Sequence, residues 1–177
     1  MKVFISYSAK DISLIRKFAD GLQQQAVGVS QVHWWEDSKR PGKEAWPQIF
    51  KWIDEADLVL VIVTGNVLSR AMAVGNEVGY AKAKGKRIIP LISELSGWRM
   101  ILWRLGVANT GISTEDLGCL GELVHVRINE HDPKAGIEKI KAELTQFAKE
   151  KQAANDAEQA KLILGLLGVV GALWASS

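Results

Sequence analysis

An open parallel α/β sheet with helices on both faces is the fold class this chain predicts, and three observations predict it. Short apolar, β-branched runs alternate with segments whose apolar residues recur at helical spacing. One run, ADLVLVIVT, is apolar without interruption, as a central parallel strand covered on both faces requires. With 177 residues, 47% of them hydrophobic and 24% charged, the chain is long and apolar enough for one buried core. One domain with an appendage is expected.

The elements follow in order. KVFISY is bounded by polar residues and suits a buried first strand, and AKDISLIRKFADGLQQQ then sets Ile12, Ile15, Phe18, Ala19 and Leu22 at helical intervals. VHWWEDSKRPGKEAW opens as a second strand over residues 32–34 and turns into a polar loop holding Pro41 and Gly42. WPQIFKWIDEA places Ile49, Trp52 and Ile53 on one helical face, with Trp46 and Pro47 at its start, where the fixed φ of proline fits. ADLVLVIVT is the third strand, KRIIPLIS the fourth and GELVHVRI the fifth. Between the third and fourth lies the helix that carries Glu77. Ligands of such sheets bind beyond the carboxyl ends of the strands, so the loops after Tyr7, Trp35 and Thr64 are expected to share one rim. If the second strand continues, Trp34 and Trp35 point to opposite faces, one into the core and one free to stack on an aromatic ring of a ligand; periodicity leaves open which.

The C-terminal part has a different character. Residues 137–164 contain neither Gly nor Pro, so a long helix is expected, with Ile137, Ile140, Leu144 and Phe147 as a stripe that docks on the domain. AKEKQAANDAEQAK keeps helix-forming residues but offers only alanines as apolar groups, the pattern of a solvated spacer. LILGLLGVVGALWA, residues 162–175, then carries no charge. As a helix it is about 21 Å long, short of the roughly 30 Å hydrocarbon core of a bilayer. A helix buried against another protein chain and a short membrane tail anchor flanked by Lys161 and Trp174 both remain open. Gly165, Gly168 and Gly171 permit close helix contact in either setting. The expected division is a domain over 1–148, a polar helical spacer over 149–161 and a hydrophobic tail over 162–177.

Charge and motifs exclude several functions. The 22 basic and 20 acidic residues are scattered, without a phosphate-tracking run, so nucleic acid is not an expected partner. The single cysteine, Cys119, makes no internal disulfide, and Met1 leads straight into a strand without a signal-peptide pattern, so a reducing cytoplasm is the expected compartment. His33, His125 and His131 lack metal-ligand spacing with that cysteine, and no metal is expected. GNEVGYAKAKG has no Walker pattern, and G-x-G-x-x-G is absent after the first strand, which argues against a dinucleotide-dependent oxidoreductase. From the residues alone, Glu77 is a solvated helix residue loosely paired with Lys82 or Lys84.

FISYSAKD, WWEDSKRPGKEAWPQI, EADLVLVIVT and EVGYAKAKGKRIIPLI, taken together and in this order, resemble a bacterial TIR (Toll/interleukin-1 receptor) domain over about residues 1–148. The resemblance implies a flavodoxin-like fold with a five-stranded parallel sheet. It also implies a role for Glu77, which stands where TIR domains that break NAD carry their catalytic glutamate. Many of those domains have a tryptophan four residues earlier; this sequence has Ala73. By the same resemblance the loop at Ser6, Tyr7 and Ser8 contacts the nucleotide, Trp34, Trp35 and Asp37 begin a second pocket loop, and Arg40, Pro41, Gly42 and Trp46 belong to a self-assembly loop that completes a neighbour's pocket. NAD+ is then a substrate and no cofactor is required. The implied function is cleavage of NAD+ to nicotinamide and ADP-ribose or a cyclic ADP-ribose-type product in bacterial antiphage defence, switched on by assembly into a homo-oligomer or with other TIR proteins. The alternative is a non-catalytic TIR adaptor tethered by its tail, which Ala73 favours. Another nucleotide-hydrolysing or base-transferring enzyme on the same fold is a third option, since fold does not fix function.

Overall fold

The chain folds around a five-stranded parallel sheet in the order β2-β1-β3-β4-β5. The computed structural model describes residues 1–25, 28–35, 45–68, 71–94, 120–129 and 132–175. Its strands are β1 Lys2–Ser6, β2 Gln31–His33, β3 Leu58–Val63, β4 Arg87–Glu94 and β5 Val126–Asn129. Its helices are α1 Ile12–Gln25, α2 Ala45–Glu55, α3 Gly65–Leu68, α4 Ala71–Ala83 and α5 Pro133–Ala175, with a short 3-10 turn at Ala9–Asp11 leading into α1.

The uninterrupted apolar run of β3 is explained by the two layers that cover it. Leu58, Leu60 and Ile62 face the core shared with α1 and α5, while Val59, Val61 and Val63 face the core shared with α2 and α4. Strand β1 alternates in the same way, Val3 and Ile5 on the α1/α5 side and Phe4 on the other. The order of strands reverses at β1, which pairs with β2 on one side and β3 on the other. A crevice opens beyond the carboxyl end of β1, against α2 and α4, beside the reversal of strand order where open α/β sheets hold ligands.

Two strand boundaries differ from those the sequence predicts. β2 begins and ends one residue earlier than expected, so Trp34 follows the strand rather than ending it. The fifth strand is shorter than GELVHVRI. Residues 120–122 form a turn closed by the Leu123 amide donating to the Leu120 carbonyl at 3.0 Å, and Val124 stands 93% exposed. Pairing with β4 therefore starts only where Val126 lies beside Leu91.

Helix α5 starts on strong local signals. Pro133 opens it with a φ suited to a first helical position, and the Asp132 carboxylate accepts the Ala135 amide at 3.1 Å as its cap. Ile137, Ile140 and Leu144 are fully buried against α1 and the sheet, and Phe147 packs beside them. Arg87 covers the Phe147 ring at 4.9 Å and reaches Glu143 and Glu150, each at 3.4 Å. Lys151 pairs with Asp57 at the amino end of β3. Residues 152–161 are exposed, and the helix continues through Gly165, Gly168 and Gly171 to Ala175. Among the described residues no helix is long and apolar enough to cross a membrane.

Helix α4 ends in a tight reversal. Gly85 adopts φ +64°, its amide donates to the Lys82 carbonyl and the Lys86 amide donates to the Ala81 carbonyl, both at 3.0 Å. The α1–α5 contact disfavours a side chain for another reason: a Cβ on Gly21 would lie 2.5 Å from Ile137 Cδ1 and would force that fully buried side chain to shift. Gly21→Val is therefore expected to cost about 1–3 kcal/mol by overpacking, lowering the thermal midpoint by roughly 2–4 °C per kcal/mol. Differential scanning calorimetry checks this, and an unchanged midpoint would show that α1 and α5 do not approach so closely.

Candidate active site

Strand β1 delivers Ser6, 1% exposed, to the crevice, and α4 delivers Glu77 to meet it. Val74, Glu77, Val78 and Ala81 recur at helical spacing and are all buried, so Glu77 lies on the inward stripe of α4 with 8% of its surface exposed. The Ser6 hydroxyl donates to Glu77 Oε2 at 2.5 Å. A solvated Glu77 paired with a lysine is thus ruled out: Lys82 reaches Glu122 at 3.8 Å and Lys84 reaches Asp54 at 3.2 Å. Burial pushes the Glu77 carboxyl up to about 7 from 4.5, and the hydrogen bond from Ser6 pulls the other way.

Glu77 lines a pocket of about 280 Å³ whose walls are mostly apolar. Of the residues singled out from the sequence, Tyr7, Ser8, Trp35 and Trp46 also line it. Ser6 touches the site through Glu77. Trp34 does not join them: it is 9% exposed in the α1/α5 core, with its ring edge-on to Tyr7 at 6.4 Å. The two neighbouring tryptophans do face opposite ways, and Trp35 is the one that reaches the pocket. Its ring is braced by Trp52 at 6.1 Å, and Trp52 is stacked on His33 at 5.4 Å. Asp37, Arg40, Pro41 and Gly42 lie outside the described residues.

Some lining residues carried no signal that the sequence alone could rank. Lys10 brings a cation to the rim, and Ala45, Ile49 and Val74 complete the apolar wall. Lys10 sits two residues beyond the Ser6–Ser8 loop, and that adjacency was the available clue. Ala73 lines the pocket as well, so a small side chain there leaves space that a tryptophan would fill. Among the described residues no group of three or more His, Cys, Asp or Glu is placed to hold a metal ion.

Among the described residues, Glu77 is the one carboxyl that lines this pocket, near the switch point of a doubly covered parallel sheet. The family model described as TIR domain matches residues 3–140. This chain belongs to the TIR domain family. Among solved structures it is similar to a CMP N-glycosidase, BcmB, of Clostridium botulinum, with 20% identity over 79% of this chain and 98% of that one and a TM-score of 0.45. It is also similar to the TIR domains of the activated Roq1 resistosome, which directly recognises the pathogen effector XopQ, with 15% identity over 84% of this chain and 83% of that one and a TM-score of 0.44. No curated protein matches the sequence.

Within this TIR domain the Glu77 carboxyl couples the site to folding. Between pH 4.5 and about 7 the folded state keeps a proton that the unfolded chain has lost. The contribution of Glu77 to stability is therefore complete below 4.5 and is lost as pH rises through about 7, a difference of about 3 kcal/mol by pH 8. Glu77→Gln keeps an oxygen for Ser6 and removes the titration. The variant is expected to be roughly 1–3 kcal/mol more stable than the natural chain at pH 8 and close to it at pH 5. Urea titrations at the two pH values check this, and the same difference at both would contradict a buried, titrating carboxyl.

Proposed function

We propose that this TIR domain cleaves the N-glycosidic bond between nicotinamide and ribose in NAD+. The observation that carries the reading is Glu77, a buried carboxylate on an apolar pocket beyond the carboxyl end of β1, held on one oxygen by Ser6. In NAD+ the leaving group is a pyridinium. When the C1′–N bond breaks, its electron pair goes to the ring nitrogen and nicotinamide departs neutral, so no general acid is needed. Positive charge then develops on the ribose. A carboxylate in a low-dielectric pocket stabilises that oxocarbenium-like state far more than it could in water, and it can accept a hydrogen bond from a ribose hydroxyl. Water adds to C1′ and releases a proton, giving ADP-ribose; attack by a nitrogen of the adenine gives a cyclic product instead.

The other residues take roles that fit this chemistry. Tyr7, Trp35 and Trp46 offer aromatic faces to the nicotinamide and ribose, and the cation of Lys10 at the rim suits a diphosphate. The pocket, at about 280 Å³, suits the nucleoside end of the dinucleotide, with the remainder lying across the rim. In this reading the catalytic unit is residues 1–148, residues 149–161 are a spacer, and residues 162–175 promote the assembly of TIR units that switches the enzyme on in antiphage defence. Ala73 favours a second reading, an adaptor without catalysis that binds other TIR proteins, because it leaves the pocket wider beside Glu77.

The deciding experiment is NAD+ consumption by the purified full-length protein at high concentration, with products resolved by chromatography and mass spectrometry. Nicotinamide release is expected, with a loss of about 100-fold or more in Glu77→Gln. The ionised form of Glu77 is the active one, so kcat/KM should rise with pH about a midpoint near 7 and then level. An assembled protein that leaves NAD+ untouched would overturn the enzyme in favour of the adaptor.

A further inference from the structure

A second buried carboxylate, Asp11, takes no part in the chemistry above. It is 8% exposed and stands in the 3-10 turn just before α1. Both of its oxygens accept from the loop that follows β3: Thr64 Oγ1 donates to Oδ2 at 2.6 Å, and Asn66 Nδ2 donates to Oδ1 at 2.5 Å. The Asn66 amide in turn donates to Thr64 Oγ1 at 3.1 Å, which leaves the Thr64 hydroxyl proton directed at Asp11. The Asp11 amide closes its own turn by donating to the Ser8 carbonyl at 2.8 Å. Tyr7, Ser8, Ala9 and Lys10, the segment spanned by this tie, all line the pocket.

We infer that Asp11 is a positioning residue: with Thr64 and Asn66 it clamps the β1–α1 wall of the pocket to the end of β3 and so sets the fit of the nucleotide. A carboxylate is suited to the place because it only accepts, and it faces two donors. It sits beside the N-terminal amides of α1, where negative charge is favoured. The wall it holds carries Tyr7 and Lys10, which supply binding contacts to the ring and the diphosphate, while the charge that stabilises bond breaking lies on Glu77, outside this wall. Loosening the wall therefore weakens binding and leaves the bond-breaking step, which belongs to Glu77, unchanged. This consequence rests on the N-glycosidase reading; the clamp itself does not.

Thr64→Val tests it, since it keeps the side-chain shape and removes the hydroxyl that donates to Asp11 and accepts the Asn66 amide. Two readouts are taken on the full chain. Hydrogen exchange at the Asp11 amide is expected to accelerate about tenfold, with amides of β3 unchanged and Thr64→Ser behaving as the natural protein. In the NAD+ assay KM is expected to rise about tenfold, with kcat within about twofold and the pH midpoint unmoved. Asp11→Asn, which replaces one acceptor with an NH2 group facing a donor, should act in the same direction. Exchange at Asp11 that matches the natural protein, acceleration spread evenly over β3, or a fall in kcat at constant KM would each overturn the clamp. If the natural protein does not consume NAD+, the N-glycosidase reading fails and the exchange result alone decides the clamp.

Discussion

The hydrogen bond from Ser6 to Glu77 joins the last residue of β1 to the inner face of α4, where both side chains are buried. Burying an ionisable group costs free energy, here about 3 kcal/mol once the group is charged. That is a large share of the roughly 5–15 kcal/mol by which domains of this kind are stable. A single hydroxyl does not offset it, so the surrounding core must. Leu and Ile side chains of β3 on one face and its valines on the other supply that core, with α1, α2, α4 and α5 as the covering layers. On the function proposed above, that cost is retained for catalysis rather than for stability.

The two edges of the sheet are built differently. At the amino ends of the strands, polar contacts fasten the frame. The Lys2 amide donates to Asp57, Lys151 reaches the same carboxylate, and Lys86 Nζ donates to the carbonyls of Asp54 and Ala56 at the end of α2, at 2.6 and 2.8 Å. At the carboxyl ends the buried polar groups include Ser6 with Glu77 and Asp11 with Thr64, two small networks beside a pocket with apolar walls.

Much of this was legible in the sequence because packing on two faces leaves a plain record. The run LVLVIV fixed a central strand, and the helical spacing of Ile137, Ile140 and Leu144 fixed the docking stripe of α5. The burial of Glu77 was also encoded, by Val74, Val78 and Ala81 around it, although a lone acidic residue on an apolar stripe is ordinarily read as solvated. Which of Trp34 and Trp35 reaches the pocket was not encoded, because alternation gives opposite faces without saying which covering layer belongs to which. The tie between Asp11, Thr64 and Asn66 was hidden for a simpler reason: its members are about 55 residues apart, and each alone reads as ordinary helix-start or strand-end chemistry. The fifth strand was overextended because an exposed valine, Val124, mimics strand composition.

The most direct test of the central claim is a titration of the carboxyl carbons of protein carrying 13C-labelled glutamate, with Glu77 assigned by its loss in Glu77→Gln, followed in the absence and presence of a non-cleavable NAD+ analogue. The account predicts a carboxyl that titrates at about 7 in the free protein and moves down when the cationic ring settles beside it. A Glu77 that titrates near the ordinary 4.5 and ignores the analogue would contradict both the burial and the role assigned to it.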